Sequence, residues 1–200
     1  MTPIRVKDLM IYLDRYAVVS VEASLYEAIV ALETARASLG PEHDRYRGIL
    51  VLGNDHNVVG KLDLWDLLRG LEPRYGKVGY PRELSSNDCS GELAGSIFKT
   101  YGLWRDVLDG ICEQTSKMSV KDIMHVPKEN EYIEADACLE EATNKMLVYN
   151  HQSLIVTKEG KAIGILRLID VLRIIIGRVG VCRAYSLRDE EEEAEDSLAA

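Results

Sequence analysis

The sequence predicts an α+β protein in which a unit of strand, helix, strand, strand and helix occurs twice. Two pairs of segments match at one offset of 114 residues: Val6–Met10 with Val120–Met124, and Leu25–Ala28 with Leu139–Ala142. A shared offset indicates duplication. We therefore expect two copies of one fold packed about a pseudo-twofold axis, with functional sites in the clefts where the copies join.

The first copy contains an insertion. A third pair of segments, Gly60–Asp66 and Gly164–Asp170, is offset by 104 residues, so the first copy carries ten extra residues. Gly40 followed by Pro41 is typical of a break in regular structure. The insertion is therefore predicted at about residues 35–44, where it either extends the first helix or lies beside it, away from the sheet.

The first half of the first copy is predicted to be a strand and a helix. The β-branched run Val18–Val21 is typical of a strand. From Leu25 onward apolar residues recur at helical spacing, which predicts a helix. Ser24 stands at the N-cap position, and Glu27 three residues later completes a capping box.

A hairpin and a second helix complete the first copy. The apolar runs Ile49–Leu52 and Val58–Leu62 are separated by Gly53–Asn57, whose residues tolerate the backbone of a tight turn. A helix over about Leu64–Gly70 follows. The second copy repeats the order with a strand at Tyr132–Ile133, a helix over Leu139–Tyr149, strands at Ser153–Thr157 and Ala162–Leu166, and a helix over about Ile169–Ile176.

The segment between the copies is predicted to be a linker with one amphipathic helix over about residues 93–114. Five apolar residues in it follow a spacing of 4, 3, 4 and 3, which places them on one helical face: Ile97, Tyr101, Trp104, Leu108 and Ile111. This face packs either on the two copies or in a dimer contact. The predicted domains are residues 1–71, 72–118, 119–180 and a tail of 181–200.

The charge of the chain is concentrated in its tail. The formal net charge is −9, but seven acidic residues between Asp189 and Asp196 leave only −2 for residues 1–188. Such a run predicts a disordered solubility segment or, alternatively, an acidic arm that competes for a basic partner. The nearly neutral body has no basic stripe with interleaved aromatic residues, which argues against nucleic-acid binding.

Composition and motifs exclude several classes of protein. A content of 46% hydrophobic and 28% charged residues is typical of a soluble globular protein. The four cysteines show no C-x-x-C spacing and no signal peptide opens the chain, so we expect free thiols in the cytoplasm. No apolar run approaches the ~20 residues of a membrane helix. His56 and His125 have no metal-ligand spacing, and no catalytic motif is present, so we expect neither a metal site nor an enzyme.

The repeated motifs resemble the cystathionine-beta-synthase (CBS) domain, which occurs in tandem pairs called Bateman modules. The resemblance is carried by an opening Asp-hydrophobic-Met, the element order, and a closing Gly-hydrophobic-x-[Ser/Thr]-x-x-Asp, and it covers about Ile4–Leu71 and Ser119–Arg178. It implies regulatory binding of AMP, ADP, ATP or S-adenosylmethionine in the clefts, with no cofactor required. It also implies a disc-like homodimer.

The closing Asp of that family binds the ribose hydroxyls, and the matching residues here are Asp66 and Asp170. An Asp at the start of an apolar helix is also a common cap, which is the alternative role. The family's Ser or Thr, which helps to hold phosphate, is replaced by Asp63 in the first copy and by Arg167 in the second.

These replacements distinguish the two predicted clefts. Asp63 would repel a phosphate, so we expect the first cleft to be empty or to take an uncharged or cationic group, unless Lys61 turns inward to offset the charge. Arg167 offers a fork of donors to phosphate, so we place the ligand in the second cleft with Asp170. The alternative is that Arg167 forms an ion pair with a Glu or Asp that stabilises the fold.

Three further residues are predicted near an adenine ring. His151 precedes the central strand of the second copy and either contacts the adenine or is solvated, while Val18 and Ile133 lie on strands whose backbone and apolar side chains would hold it. The sequence therefore favours a regulatory ligand-sensing module that signals to a partner protein. The alternative is a CBS scaffold or dimerisation module without a ligand.

Overall fold

The computed structural model describes residues 3–37, 48–72, 74, 99–100, 102–104 and 110–179. The chain divides into two compact units: unit 1 combines Met1–Tyr12 with Lys128–Ala200, and unit 2 is Leu13–Pro127. Each unit pairs a β-sheet with helices, which confirms the predicted α+β class.

The described strands are β1 (Ile11–Tyr12), β2 (Val18–Ser20), β3 (Gly48–Leu52), β4 (Val58–Asp63), β5 (Tyr132–Glu134), β6 (Ser153–Lys158) and β7 (Lys161–Arg167). The described α-helices are α1 (Leu25–Ala37), α2 (Leu64–Leu71), α3 (Ile111–Lys117), α4 (Val120–Ile123), α5 (Leu139–Tyr149) and α6 (residues 168–179). Single 3-10 turns occupy Val6–Asp8, Leu13–Arg15 and Glu129–Glu131.

Unit 2 is built on a three-stranded sheet in the order β2-β3-β4. Strand β2 runs parallel to β3, and β3 forms an antiparallel hairpin with β4. The predicted capping box is confirmed, because the Ser24 backbone N–H donates to Glu27 Oε2 at 2.7 Å and the Glu27 N–H donates to Ser24 Oγ at 3.3 Å. In the hairpin turn His56 takes a φ of 59°. The strand, helix and hairpin predicted for this part of the first copy are therefore all present.

Unit 1 contains a four-stranded sheet in the order β1-β7-β6-β5. Strands β5 and β6 are parallel, and the β6–β7 and β1–β7 pairs are antiparallel. Helix α5 ends at Asn150, which takes the left-handed backbone conformation that favours a helix stop. The hydrophobic core of the unit draws on strands and helices alike: Val6, Met10, Ile133, Ala135, Leu139, Ala142, Met146, Leu154, Val156, Leu166 and Val171.

The opening segment of the first copy belongs to unit 1. The Val6 N–H donates to the Ala137 carbonyl at 3.0 Å, and the Leu139 N–H donates to the Ile4 carbonyl at 3.1 Å. Met10 packs in the core of the unit, and its sulfur lies over Gly164, where an added Cβ would come within 3.2 Å of it. Residues 4–12 therefore complete the sheet and core of the second copy.

The opening segment of the second copy makes the corresponding contacts in unit 2. The Val120 N–H donates to the Ala23 carbonyl at 2.9 Å, and the Leu25 N–H donates to the Met118 carbonyl at 2.8 Å. A Cβ on Gly60 would overlap the Met124 sulfur, so only glycine fits beneath that side chain. The predicted domains of residues 1–71 and 119–180 thus differ from the compact units, because each opening segment packs with the opposite copy.

The prediction of one continuous linker helix over about residues 93–114 is wrong at residues 102–104. Residues 99–100 are helical, but 102–104 form a turn in which Gly102 and Trp104 have φ values of 55° and 62°. The carboxylate of Glu72 accepts the Trp104 N–H at 2.6 Å, which stabilises the turn. Helical periodicity alone carried no sign of this contact. Helix α3 then begins at Ile111.

Two other predictions fall largely on residues that the structure does not describe. Helix α1 reaches Ala37, and the rest of the predicted insertion at residues 38–44 lies outside the described residues. The acidic tail over 181–200 lies outside them as well.

Candidate functional site

Arg167 and Asp170 meet at the junction of β7 and α6. Strand β7 ends at Arg167, and α6 begins at the next residue, so Asp170 lies in the first turn of the helix. Arg167 Nε donates to Asp170 Oδ2 at 2.6 Å and Nη2 donates to Oδ1 at 2.7 Å. The two side chains are 8% and 13% exposed. The structure therefore brings the predicted pair together, and it shows the ion pair that was kept as the alternative role of Arg167.

The corresponding junction of β4 and α2 in unit 2 holds two acids. The Asp66 N–H donates to Asp63 Oδ1 at 2.8 Å, and the Asp63 N–H donates to Asp66 Oδ2 at 3.1 Å. Asp63 is the N-cap of α2, and Asp66 is buried. Both acids therefore cap the helix, which is the alternative role named for Asp66.

A basic residue completes each junction, and the sequence analysis missed it. Arg69 Nη1 lies 3.5 Å from Asp66 Oδ1, and Arg173 Nη1 lies 3.5 Å from Asp170 Oδ1. The signal was available, because Arg69 and Arg173 are separated by the same 104 residues as the two closing motifs. We call Arg167, Asp170 and Arg173 the α6 cluster, and Asp63, Asp66 and Arg69 the α2 cluster.

The two clusters carry opposite charge. The α6 cluster has two guanidinium groups and one carboxylate, whereas the α2 cluster has two carboxylates and one guanidinium group. Each cluster begins at the N-terminus of a helix, where the helix dipole favours negative charge. The acids of the α2 cluster satisfy that preference. The α6 cluster instead places a net positive charge at the start of its helix.

The remaining predicted residues lie at several places in the two units. Lys61 and His125 exchange two backbone hydrogen bonds of 2.9 Å, and Val18 pairs with Leu50, the residue that also pairs with Lys61. These residues belong to unit 2. Ile133 packs in the core of unit 1.

His151 lies between α5 and β6. Its N–H donates to the Met146 carbonyl at 2.9 Å, and its ring stacks on Tyr149 with 5.8 Å between the ring centroids. The neighbouring Gln152 carbonyl accepts the Leu168 N–H at 2.9 Å, which ties this connection to the start of α6. His151 is therefore adjacent in the chain to Gln152, whose carbonyl contacts the first residue of α6.

The described ranges contain neither a metal-ligand cluster nor a membrane-spanning helix. Residues 3–37, 48–72 and 110–179, with the few described between them, contain no group of three His, Cys, Asp or Glu side chains placed to hold a metal ion. Within the part of the chain that the structure describes, no helix combines the length and apolar character needed to cross a bilayer.

Residues 120–177, which include Arg167, Asp170 and Arg173, match the family model of the CBS domain. This match covers most of the second copy. The fold of the chain as a whole is similar to solved CBS-domain structures, so the resemblance to a tandem CBS pair is confirmed for the fold. No curated protein matches the sequence.

Three solved structures illustrate this similarity. A CBS domain-containing protein of unknown function from Kribbella flavida DSM 17836 has a TM-score of 0.60 at 15% identity, over 86% of this chain and 99% of that chain. CBSX2 is a CBS-pair protein from Arabidopsis thaliana. The structure of CBSX2 in complex with AMP has a TM-score of 0.52 at 23% identity, over 86% of this chain and 96% of that chain. The CBS domain of a bacterial CNNM/CorC family Mg²⁺ transporter in complex with ATP has a TM-score of 0.54 at 17% identity, over 86% and 87%.

Proposed function

We propose that this chain is a regulatory module that binds an adenine nucleotide or a related adenosyl ligand at Arg167 and Asp170 and signals to a partner protein. The observation that carries the proposal is the ion pair between buried Arg167 and partly buried Asp170 at the start of α6, with Arg173 beside it. The complexes of CBSX2 with AMP and of the transporter CBS domain with ATP support the same ligand class.

The pair has the chemistry that a nucleotide requires. Each oxygen of Asp170 accepts one hydrogen bond from Arg167, and a carboxylate has about four lone-pair sites, so it can still accept from two vicinal ribose hydroxyls. Guanidinium groups bind phosphate oxygens through several donors at once. In this proposal the ligand regulates by stabilising one arrangement of the protein over another, typically by about 1–3 kcal/mol, and the chain has no catalytic role.

A scaffold or homodimerisation module is the second candidate function, and the surface of α6 favours it. The helix exposes several large apolar side chains, and Ile176 and Val179 are 60% and 63% exposed. Leu64, Trp65 and Leu68 of α2 are exposed at the positions that correspond to Leu168, Ile169 and Leu172 of α6. Exposed apolar surface of this extent is typical of a protein interface, and a second copy of the chain would cover it.

The proposal also includes a reducing compartment such as the cytoplasm. Cys112 and Cys138 are free thiols, in line with such an environment.

Thermal unfolding in the presence of ligands separates the two functions. We expect the unfolding midpoint to rise with millimolar AMP, ADP, ATP or S-adenosylmethionine, because a ligand at 100 times its Kd adds about 2.7 kcal/mol to the free energy of unfolding. Arg167→Ala should lose most of the rise, measured against its own midpoint without ligand, and Asp63→Ala should keep it. No rise with any of the four ligands would favour the scaffold, and loss of the rise only in Asp63→Ala would contradict the assignment to unit 1.

A further inference from the structure

The exposed face of α5 is acidic at its start and apolar at its end. Glu140 and Glu141 are exposed in its first turn. Leu147 and Val148, near its end, are 71% and 65% exposed. Two such helices do not fit each other in either direction. A parallel pair brings four acids together, and an antiparallel pair places the acids against apolar side chains.

The exposed face of α1, the equivalent helix of the first copy, has the reverse order. Tyr26 and Val30 in its first half are 52% and 45% exposed. Its second half exposes Glu33, which forms an ion pair of 3.1 Å with Arg36. An antiparallel pair of α1 and α5 therefore places apolar side chains against apolar ones and brings a basic residue towards the acids at the start of α5.

From this we infer that the chain forms a head-to-tail homodimer, in which α1 of one protomer packs antiparallel on α5 of its partner. A twofold axis repeats the contact, so that unit 2 of each protomer meets unit 1 of the other. The inference rests on the homodimer that is the second candidate function, and it specifies which surfaces of the two protomers meet.

The charge of the helices supports the same order. Together with the residue before α2, helices α1 and α2 carry four acidic and two basic side chains, a net charge of −2. Together with the residue before α6, helices α5 and α6 carry three acidic and four basic side chains, a net charge of +1. A head-to-head dimer would bring like charges together at both contacts, whereas the head-to-tail order brings opposite charges together at both.

Photo-crosslinking of the full chain identifies the helix that faces α5. A benzophenone amino acid replaces Leu147 in one preparation, which then exchanges subunits with isotopically heavy wild-type protein. We expect mass spectrometry to find crosslinks from this position to heavy peptides of Leu25–Ala37, and the same reagent at Val30 should crosslink to heavy peptides of Leu139–Tyr149.

The outcomes of this experiment separate the order of the protomers from dimerisation itself. Crosslinks from position 147 to heavy peptides of α5 or of any segment other than α1 would overturn the inference and leave the homodimer intact. The same holds for a variant that is dimeric by light scattering but yields no crosslink between light and heavy chains. A wild-type protein that is monomeric by light scattering would overturn the homodimer and this inference together.

A pair of charge substitutions provides the second arm. Leu147→Glu and Val30→Lys should each weaken the dimer at least about tenfold in sedimentation equilibrium, because each places an unpaired charge in the contact. An equal mixture should form dimers within about threefold of wild-type affinity, since one contact then pairs the glutamate with the lysine and the other is unchanged. Asn54→Glu, in the exposed turn between β3 and β4, is the control for an added acid and should leave the dimer unchanged. Mixed dimers that stay weaker than this range would contradict the pairing of α1 with α5.

Discussion

Val6→Ala should destabilise unit 1, and Val120→Ala should destabilise unit 2, each by about 2 kcal/mol. The two valines occupy equivalent positions in the repeat, and both are 0% exposed. Each substitution removes two buried methyl groups and leaves a cavity. Each valine should affect the copy to which it does not belong in sequence. The Val6 N–H donates to the Ala137 carbonyl of the second copy, and the Val120 N–H donates to the Ala23 carbonyl of the first.

Hydrogen exchange followed by mass spectrometry locates the effect. In Val6→Ala, peptides from residues 128–179 should lose protection while those from 13–37 and 48–71 keep it, and Val120→Ala should give the converse pattern. A chain without residues 1–12 should show the Val6→Ala pattern more strongly, since it also lacks Met10 and the β1 strand that pairs with β7. Loss of protection in residues 13–71 of the Val6→Ala protein would contradict the exchange of opening segments.

Glu72→Ala should be among the most destabilising single substitutions, at about 3–5 kcal/mol. The carboxylate of Glu72 is 0% exposed and accepts hydrogen bonds from Arg74 Nε at 2.7 Å, Arg74 Nη2 at 2.7 Å and the Trp104 N–H at 2.6 Å. Its removal leaves those donors facing a cavity and releases the turn at residues 102–104. Urea unfolding at neutral pH measures the loss of stability. Glu113→Ala is the control, because it removes an exposed ion pair with Lys117 and should change the free energy of unfolding by less than about 1 kcal/mol.

The same carboxylate should make stability depend on pH in the acid range. Burial raises the pKa of Glu72, but the hydrogen bonds from Arg74 and Trp104 and the charge of Arg74 outweigh it, so the pKa is lowered from its ordinary 4.5. A lowered pKa in the folded state means that the group contributes stability above its unfolded pKa and that this contribution is lost as the pH falls through the folded pKa.

Glu72→Gln separates this charge effect from the loss of the side chain. The amide keeps the shape of the side chain but cannot titrate, so the variant should be less stable than wild type at pH 7 and should approach it below pH 4.5. An unchanged difference between the two proteins from pH 7 to below pH 4.5 would show that folding does not lower the pKa of Glu72.

The sequence by itself determined the features that depend on local interactions. The repeat, the order of elements, the Ser24–Glu27 capping box and the hairpin between β3 and β4 follow from periodicity, capping residues and turn residues a few positions apart. For the same reason the sequence also placed Arg167 and Asp170 together. Two residues that are three positions apart at the start of a helix lie on the same surface. A comparison of the two copies would have added Arg69 and Arg173.

Only the tertiary structure decided the features that depend on residues far apart in the chain. The opening segments could pack with either copy, because the two repeats offer equivalent contacts. Ala23 and Ala137 present equivalent carbonyl groups, and Gly60 and Gly164 are equivalent glycines. The linker helix was mispredicted at Trp104 because its N–H bonds to Glu72, 32 residues earlier. Hydrophobic periodicity records which face of a segment is buried, whereas a buried charge and its distant donors become visible only when the chain is folded.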